Sequence, residues 1–372
     1  MDYFLHTTQF IIFIIIAVTT LVLALYFLTL FKIKTTKTVK TNFKEGISVI
    51  VAAKNERENL NQNLPHLLKQ DYKNFEIIVV NDGSFDGTKK LLDDMAIIQQ
   101  NLKVVHLELE EQYQKGKKFA LTMGIKAAKN EHLLFTDADC RPNSDQWIQL
   151  MANLFTENDI ILGVAPLNTK SNFLGSMISY ETFHTAIQYL GYSIRGKTYM
   201  GVGRNLGYTK KLFFKNKGFA SHQHIMSGDD DLFIQEAAKN KKVGICFAKD
   251  SLMYSDSPPS YGKWIKQKVR HLSTSKEYKF IYKLLLGLYA FAQIFWLISI
   301  VSFLLLYPKY WFMIVGFIIL KWLIQWIIFG KFALKINTKK IAYALPFYDI
   351  LFTLYLILFG VIKPFIKAKT WN

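Results

Sequence analysis

The chain has 372 residues, is 51% hydrophobic and has a mean hydropathy of +0.14, high for a purely soluble protein and sufficient for one large domain with extra elements or two modest ones. Its two cysteines, Cys140 and Cys246, are too few for a disulfide framework and lack metal-ligand spacing. The net charge of +18, from 46 Lys and Arg against 28 Asp and Glu, would suit nucleic acid, but many of the lysines flank apolar spans, where anionic lipid headgroups account for them, so no nucleic-acid partner is expected.

Residues 1–9 carry no Lys or Arg and read as a short extracytoplasmic N-terminus. Residues 10–31 follow as an uncharged apolar run, about the length needed to cross a bilayer core. A cleaved signal would have its positive charge first and a shorter apolar region. Here Lys32, Lys34, Lys37 and Lys40 come after the run, which predicts a retained transmembrane helix with the following chain in the cytosol.

Residues 40–279 read as a soluble domain in which short apolar runs alternate with amphipathic stretches. Strands are expected over 47–53, 75–80, 103–107 and 132–136, with helices over 57–69, 87–99 and 117–128. That alternation predicts an α/β domain built on a mostly parallel sheet, whose ligands gather at the C-terminal strand ends. Three of those ends are acidic: Lys54-Asn55-Glu56, Asn81-Asp82-Gly83-Ser84 and Asp137-Ala138-Asp139. Turn chemistry and helix capping explain any one of them, but less easily all three. The stretch 172–190, rich in Phe, Met, Ile and Tyr, reads equally as a helix lying on the bilayer or as a buried core helix.

Two more spans, 284–306 and 311–329, are separated by the turn Tyr307-Pro308-Lys309-Tyr310. Both outer flanks are basic (Lys266, Lys268, Arg270, Lys276, Lys279 and Lys283 before; Lys331, Lys335, Lys339 and Lys340 after), as expected of a hairpin that leaves and re-enters the cytosol. Lys321, inside the second span, must face protein or snorkel. The last apolar stretch, 341–362, contains Pro346 and Asp349 and is followed by Lys363, Lys367 and Lys369, so it reads either as a crossing helix or as a re-entrant one. The expected location is an integral membrane protein of a bacterial-type plasma membrane with membrane lipids as neighbours, and its oligomeric state is left open.

Asp137 and Asp139 stand two apart in an extended segment and would point the same way, as a pair holding one hard cation such as Mg²⁺ or Mn²⁺ would. Further on, Asp229-Asp230-Asp231 precede a helical pattern. Three adjacent acids exceed what a helix N-terminus needs, and their repulsion would raise a carboxyl pKa towards that of a general base. Gln267 and Arg270 lie three apart and share a helix face. For Arg270 and His271 the competing reading is a basic flank of the membrane, and for Lys117 and Lys118 it is a solvated first helical turn.

Taken in order, residues 47–56, 80–88 (Val-Asn-Asp-Gly-Ser-Phe-Asp-Gly-Thr), 136–139, 228–233 (Gly-Asp-Asp-Asp-Leu-Phe) and 267–271 (Gln-Lys-Val-Arg-His) resemble the inverting family 2 glycosyltransferases of the GT-A fold, particularly their membrane-bound polysaccharide and glycolipid enzymes. The resemblance implies a nucleotide-sugar donor, commonly linked to uridine diphosphate, and a lipid, lipid-linked or saccharide acceptor. It implies that Ala52, Glu56 and Asp82 line the base and ribose pocket, that Lys117 lies near the donor, and that Asp137 touches the donor and Asp139 the metal. It makes Asp230 the general base and puts Asp229, Gln267, Arg270 and His271 on the acceptor or diphosphate side, with Arg204 and Asn205 as acceptor-side contacts. His271 stands where the family usually has tryptophan, which opens the identity of the acceptor and the question of processivity. Single transfer, a processive polysaccharide synthase and an inactive membrane scaffold are the competing functions. The scaffold fits worst, because every expected acid is present.

Overall fold

A computed structural model of the protein describes residues 2–30, 42–107, 116–225 and 227–362. The flanking lysines of 32–40 and of 363–369 lie outside the described residues. The chain divides into two compact units, one drawn from Met1–Thr36, Phe183–Tyr192 and Tyr278–Lys367, the other chiefly from Lys37–Thr182 and Ser193–Glu277.

In chain order, α1 (Asp2–Thr29) is followed by β1 (Ile47–Ala53), α2 (Arg57–Leu68), β2 (Phe75–Asp82), α3 (Thr88–Ile98), β3 (Leu102–Leu107), α4 (Lys117–Ala127) and β4 (His132–Asp137). Shorter pieces come next: β5 (Arg141–Pro142), α5 (Trp147–Ala152), β6 (Ile160–Leu162), β7 (Leu167–Asn168), the long α6 (Phe173–Ile194), β8 (Leu206–Thr209) and α7 (Lys210–Lys215). The second unit then runs through α8 (Asp231–Ala237), β9 (Val243–Ile245), β10 (Met253–Asp256) and α9 (Tyr261–Ser273). The remaining helices are α10 (Phe280–Leu306), α11 (Phe312–Gln325), α12 (Lys331–Lys335), α13 (Lys339–Tyr343) and α14 (Leu345–Ile362).

The expected α/β architecture is present. A seven-stranded sheet has the order β3-β2-β1-β4-β8-β6-β9, in which only β8 runs against its neighbours. The inner strands have apolar centres because helices cover both faces of a parallel sheet, and Val49, Ile50, Ile77, Val79 and Leu134 are fully buried. Helix α4 lies close on β1 and β2 at Gly124, where a Cβ would come within 2.7 Å of Ile50 Cγ2 and 3.0 Å of Val80 Cγ2. Beneath the sheet, Leu60, Leu64 and Leu67 of α2 pack with Trp147, Ile148 and Met151 of α5. The one polar residue inside β1, Ser48, donates to Glu76 at 2.5 Å, and Glu76 also accepts from the Lys129 amide, so the buried carboxylate keeps partners.

The antiparallel β8 follows directly on Arg204 and Asn205, the pair that the resemblance puts on the acceptor side. Four residues, Leu206-Gly-Tyr-Thr209, carry no usable period, and only pairing with β4 and β6 makes them a strand. Helix α6 takes the buried alternative for most of its length, with Ile178, Tyr180, Ile187 and Leu190 removed from solvent.

Within the other unit, four helical stretches among the described residues are long and apolar enough to cross a bilayer: His6–Thr29, Phe280–Leu306, Phe312–Lys335 and Leu345–Ile362. Their interior holds a polar cluster. Lys321 of α11 pairs with Asp349 of α14, whose other oxygen accepts from Gln325 Nε2 at 2.9 Å. Gln293 of α10 donates to Thr353 of α14 at 2.9 Å, and Trp296 of α10 donates to Thr20 of α1 at 3.0 Å. Lys321 therefore faces protein and does not snorkel; its ammonium also sits 4.2 Å from the Trp296 ring centre. One turn later the helix widens into a π-turn, Trp326–Gly330, before α12, and Trp326 Nε1 donates to the Ala342 carbonyl.

Candidate active site

The C-terminal ends of β1, β2 and β4 converge. Ala52 pairs in register with Val80 on one side and Asp137 on the other. The loops after β1 and β2 are laced together: the Asn55 amide donates to Ser84 Oγ, the Glu56 amide to Thr88 Oγ1, the Arg57 amide to Asp86, and the Phe85 amide to Asn55 Oδ1. Side-chain acceptors here do what extra strand pairing cannot in a loop, and they hold Glu56 and Asp82 at one edge. Asp82 is buried at the end of β2. Glu56 accepts from Asn59 Nδ2 at 2.6 Å, yet burial and the charges of Asp139, Asp137 and Asp86 push its carboxyl up.

Lys117 opens α4 and reaches Asp137 Oδ1 at 2.8 Å and Asp229 Oδ2 at 3.1 Å. One ammonium thus joins the end of β4 to the acidic run before α8. Burial opposes its charge, but Asp137, Asp229 and Asp230 outweigh that and hold it protonated well above the ordinary lysine value. Burial likewise works against Asp137, but Lys117, with Arg204 and Arg270 behind it, keeps the carboxyl below the usual range. Asp139 stands at the solvent-facing mouth, and there the protein crowded around it and the Asp137 charge push its carboxyl up.

The solvated-turn reading of Lys117 and Lys118 is overturned. Lys118 is 4% exposed and donates to the carbonyls of His222 and Ile225 at 2.5 and 2.8 Å. It ties down the loop leading to the acidic run, and burial pulls its ammonium to about 8. Lys118→Met would leave the buried His222 carbonyl and the partly buried Ile225 carbonyl without these donors, so it should cost about 1–3 kcal/mol of stability, measurable as a lower melting temperature and faster proteolysis within residues 220–225.

The three acids have different partners. Gly228, at φ +99°, turns the chain into the run in a left-handed conformation that an L side chain rarely adopts, and a Cβ there would also strike Leu232. Asp229 meets Lys117. Asp230 caps α8: its Oδ1 accepts from the Asp231 amide at 2.8 Å and its Oδ2 from the Gly203 amide at 2.9 Å. Asp231 turns away to accept from Thr274 Oγ1 at 2.6 Å and from the Leu232 amide at 2.7 Å. Burial first, then the charges of Asp229 and Asp231, lift the Asp230 carboxyl to about 7, against the pull of Lys117 and the Gly203 amide. A carboxyl poised there can accept a proton near neutral pH.

Arg204 donates to Ser255 Oγ at 2.7 Å and, with Arg270, acts electrostatically on Asp137. Gln267 and Arg270 are half-buried on α9, and His271 is exposed at the rim. Asn205 requires correction as an acceptor contact. It is fully buried; its Oδ1 accepts from Trp147 Nε1 at 3.0 Å and its Nδ2 donates to the carbonyls of Val164 and Ser251 at 2.9 Å. The amide is consumed in joining β8 to the core, so it presents nothing to a ligand.

Ligand atoms of Asp137, Asp139 and Cys140 lie within 4.8 Å of one another. Cys140 is fully buried, held as a thiol by that burial, and its Sγ donates to Asp139 Oδ1. The donor set open to a ligand is therefore two hard carboxylates, which fits a hard divalent cation.

Two family models match the chain: "Glycosyl transferase family 2" over residues 48–214 and "Glycosyl transferase family group 2" over residues 132–357. Among curated proteins, the poly-β-1,6-N-acetyl-D-glucosamine synthase of Staphylococcus epidermidis is 28% identical over 234 residues, covering 61% of this chain and 53% of the relative. The enzyme of the same name from Staphylococcus aureus is 31% identical over 139 residues, covering 37% and 32%. The chain thus matches no more than about half the length of either relative. A mannosyltransferase from Pyrobaculum calidifontis, solved with GDP-mannose and Mn²⁺, shares the fold over 95% of this chain and 98% of its own at a TM-score of 0.58, with 17% identity. A strand-end carboxylate pair, a half-buried acidic run and the family match over more than half its length all agree: this chain belongs to the family 2 glycosyltransferases.

Proposed function

We propose that the protein is a membrane-bound inverting glycosyltransferase whose cytosolic unit, residues 40–279, moves a sugar from a nucleoside-diphosphate donor, of which uridine diphosphate is the expected kind, to a lipid, lipid-linked or saccharide acceptor. The observation that carries this reading is the Asp230 carboxyl, pushed up to about 7 and backed by Asp229, with Lys117 joining that run to Asp137. Asp230 takes the proton of the acceptor hydroxyl as its oxygen attacks the anomeric carbon from the face opposite the leaving group. Ala52, Glu56 and Asp82 line the base and ribose pocket; Asp137 orients the donor; Lys117 and Arg270 neutralise the diphosphate; Gln267, His271 and Arg204 border the acceptor side. Asp139, with Asp137, would hold a divalent ion, Mg²⁺ or Mn²⁺, which when bound offsets the charge developing on the leaving diphosphate.

The processive alternative is favoured by the relatives, which are polymer synthases by name. His271 in place of tryptophan favours single transfer. Incubating the purified full-length protein with a panel of nucleotide sugars, UDP-N-acetylglucosamine first, together with membrane lipids and short glucosamine oligosaccharides, tests both. Single additions support the transferase, long products the synthase, and no transfer from any donor rejects both. Asp139→Ala should abolish divalent-ion-dependent donor binding, read by calorimetry with and without Mn²⁺; unchanged ion dependence would remove Asp139 from the metal role.

A further inference from the structure

Asp231, the third acid of the run, lies beside the proposed base and so far enters only through its charge. It is 7% exposed, and its Oδ2 faces Thr274, which is 1% exposed and follows directly on α9. Gln267, Arg270, His271 and Thr274 recur at i, i+3, i+4 and i+7, so Thr274 continues the face that presents the acceptor-side residues. The Thr274 hydroxyl has one proton and two acceptors within reach, Asp231 at 2.6 Å and the His271 carbonyl at 2.9 Å. The shorter, charge-assisted contact takes it. Helix α9 has a second tether one turn and a half earlier, where Lys268 pairs with Glu181 of α6. Two buried polar ties thus hold one helix, and the one at Thr274 runs to the residue next to Asp230.

We infer that the Asp231–Thr274 hydrogen bond is a latch that sets the α9 face, with Arg270 and His271, in register with Asp230, making Asp231 and Thr274 positioning residues for transfer. This rests on the reading of Asp230 and Arg270 given above. Asp230 is anchored by the Gly203 amide on one side and by the start of α8 on the other. Asp231 is the first residue of α8, so a tie from it to α9 fixes the distance between the base and the diphosphate-side arginine without touching either. A misplacement of about 1 Å between such groups costs on the order of a hundredfold in rate, which is the scale on which a single hydrogen bond can matter.

The test uses the full-length protein in detergent, with UDP-N-acetylglucosamine and Mn²⁺ as the probe, and compares Thr274→Val with Thr274→Ser. Valine keeps the shape and loses the donor; serine keeps the donor. The latch predicts that Thr274→Val lowers kcat about tenfold or more while KM for the donor moves less than about twofold, and that Thr274→Ser stays within about threefold of wild type. If Thr274→Val gives no folded protein, Thr274→Ala removes the same donor without altering the charge beside Asp230 and carries the same expectation. A donor-independent arm is the thermal double-mutant cycle of Asp231→Ala and Thr274→Val, in which the double variant should lose no more than the worse single one. Wild-type kcat in Thr274→Val, equal damage in both threonine variants, or additive losses in the cycle would overturn the latch. Absence of turnover in the wild type with every donor tried, alongside a coupled thermal cycle, would instead overturn the functional reading and leave the latch standing as a structural tie.

Discussion

Asp230→Asn should reduce sugar transfer by about 10²–10⁴-fold while shifting donor affinity less than about threefold, because a positioned general base contributes on that scale and the donor is held by other residues. Kinetics of the purified variant beside donor-binding calorimetry check both halves. Loss of donor binding in step with activity would show that Asp230 holds the donor and is not the base. The pH profile makes the same point independently. The base form is the carboxylate, so kcat should be retained above about pH 7 and fall as pH drops below it, and Asp230→Asn should abolish that acid limb. Stability must run the opposite way. A carboxyl at 3.8 in its ordinary state and about 7 when folded binds its proton more tightly in the native protein, so its stabilising effect is complete below about pH 4 and is lost as pH rises to 7. Asp230→Asn should therefore melt above wild type at pH 8 and close to it at pH 4, a cost of keeping a charged base buried for chemistry.

The second large effect belongs to the unit that holds the long apolar helices. Lys321→Met would leave Asp349 buried among apolar helices with Gln325 alone from its present side-chain partners, and removing one member of a buried pair costs about 3–5 kcal/mol. The expected result is poor folding yield and a strongly lowered melting temperature in detergent. Pairing it with Asp349→Leu should recover most of that loss, since the penalty of a lone buried charge is then gone. A single variant as stable as wild type would mean that the pair does not hold the bundle. Gln293, Thr353, Trp296 and Thr20 make the same point more weakly, because each joins helices that lipid alone would not drive together.

Much of the catalytic unit is legible in the amino-acid sequence. The runs that become β1, β2 and β4 are continuous and apolar because they are covered on both faces, and the helices between them carry a clear 3.6 period. Since a parallel sheet sends every strand end the same way, that alternation obliges Glu56, Asp82, Asp137 and Asp139 to gather at one edge. The helices long and apolar enough to cross a membrane are equally plain, because about 20 apolar residues in a row have few other uses. The ends of β4 and α4 are readable to within a residue.

Other features are not local, and no period or spacing announces them. Strand β8 exists because β4 and β6 offer it partners on both sides. Asn205, next to Arg204, reads as a ligand contact, yet the fold turns it inward to meet Trp147 and two carbonyls, while Arg204 turns the other way. Lys117 and Lys118 are neighbours of the same type, but α4 aims one at carboxylates and the other at a loop 104 residues away. Lys321 and Asp349 each read as an isolated cost until the bundle makes them partners. By itself the sequence determined the first four strands, the helices between them and the long apolar stretches, since those follow from the period and length of apolar runs. Only the tertiary structure decided which polar side chains face one another, because that depends on contacts between residues far apart in the chain, and it is those contacts that set the charge state of Asp230.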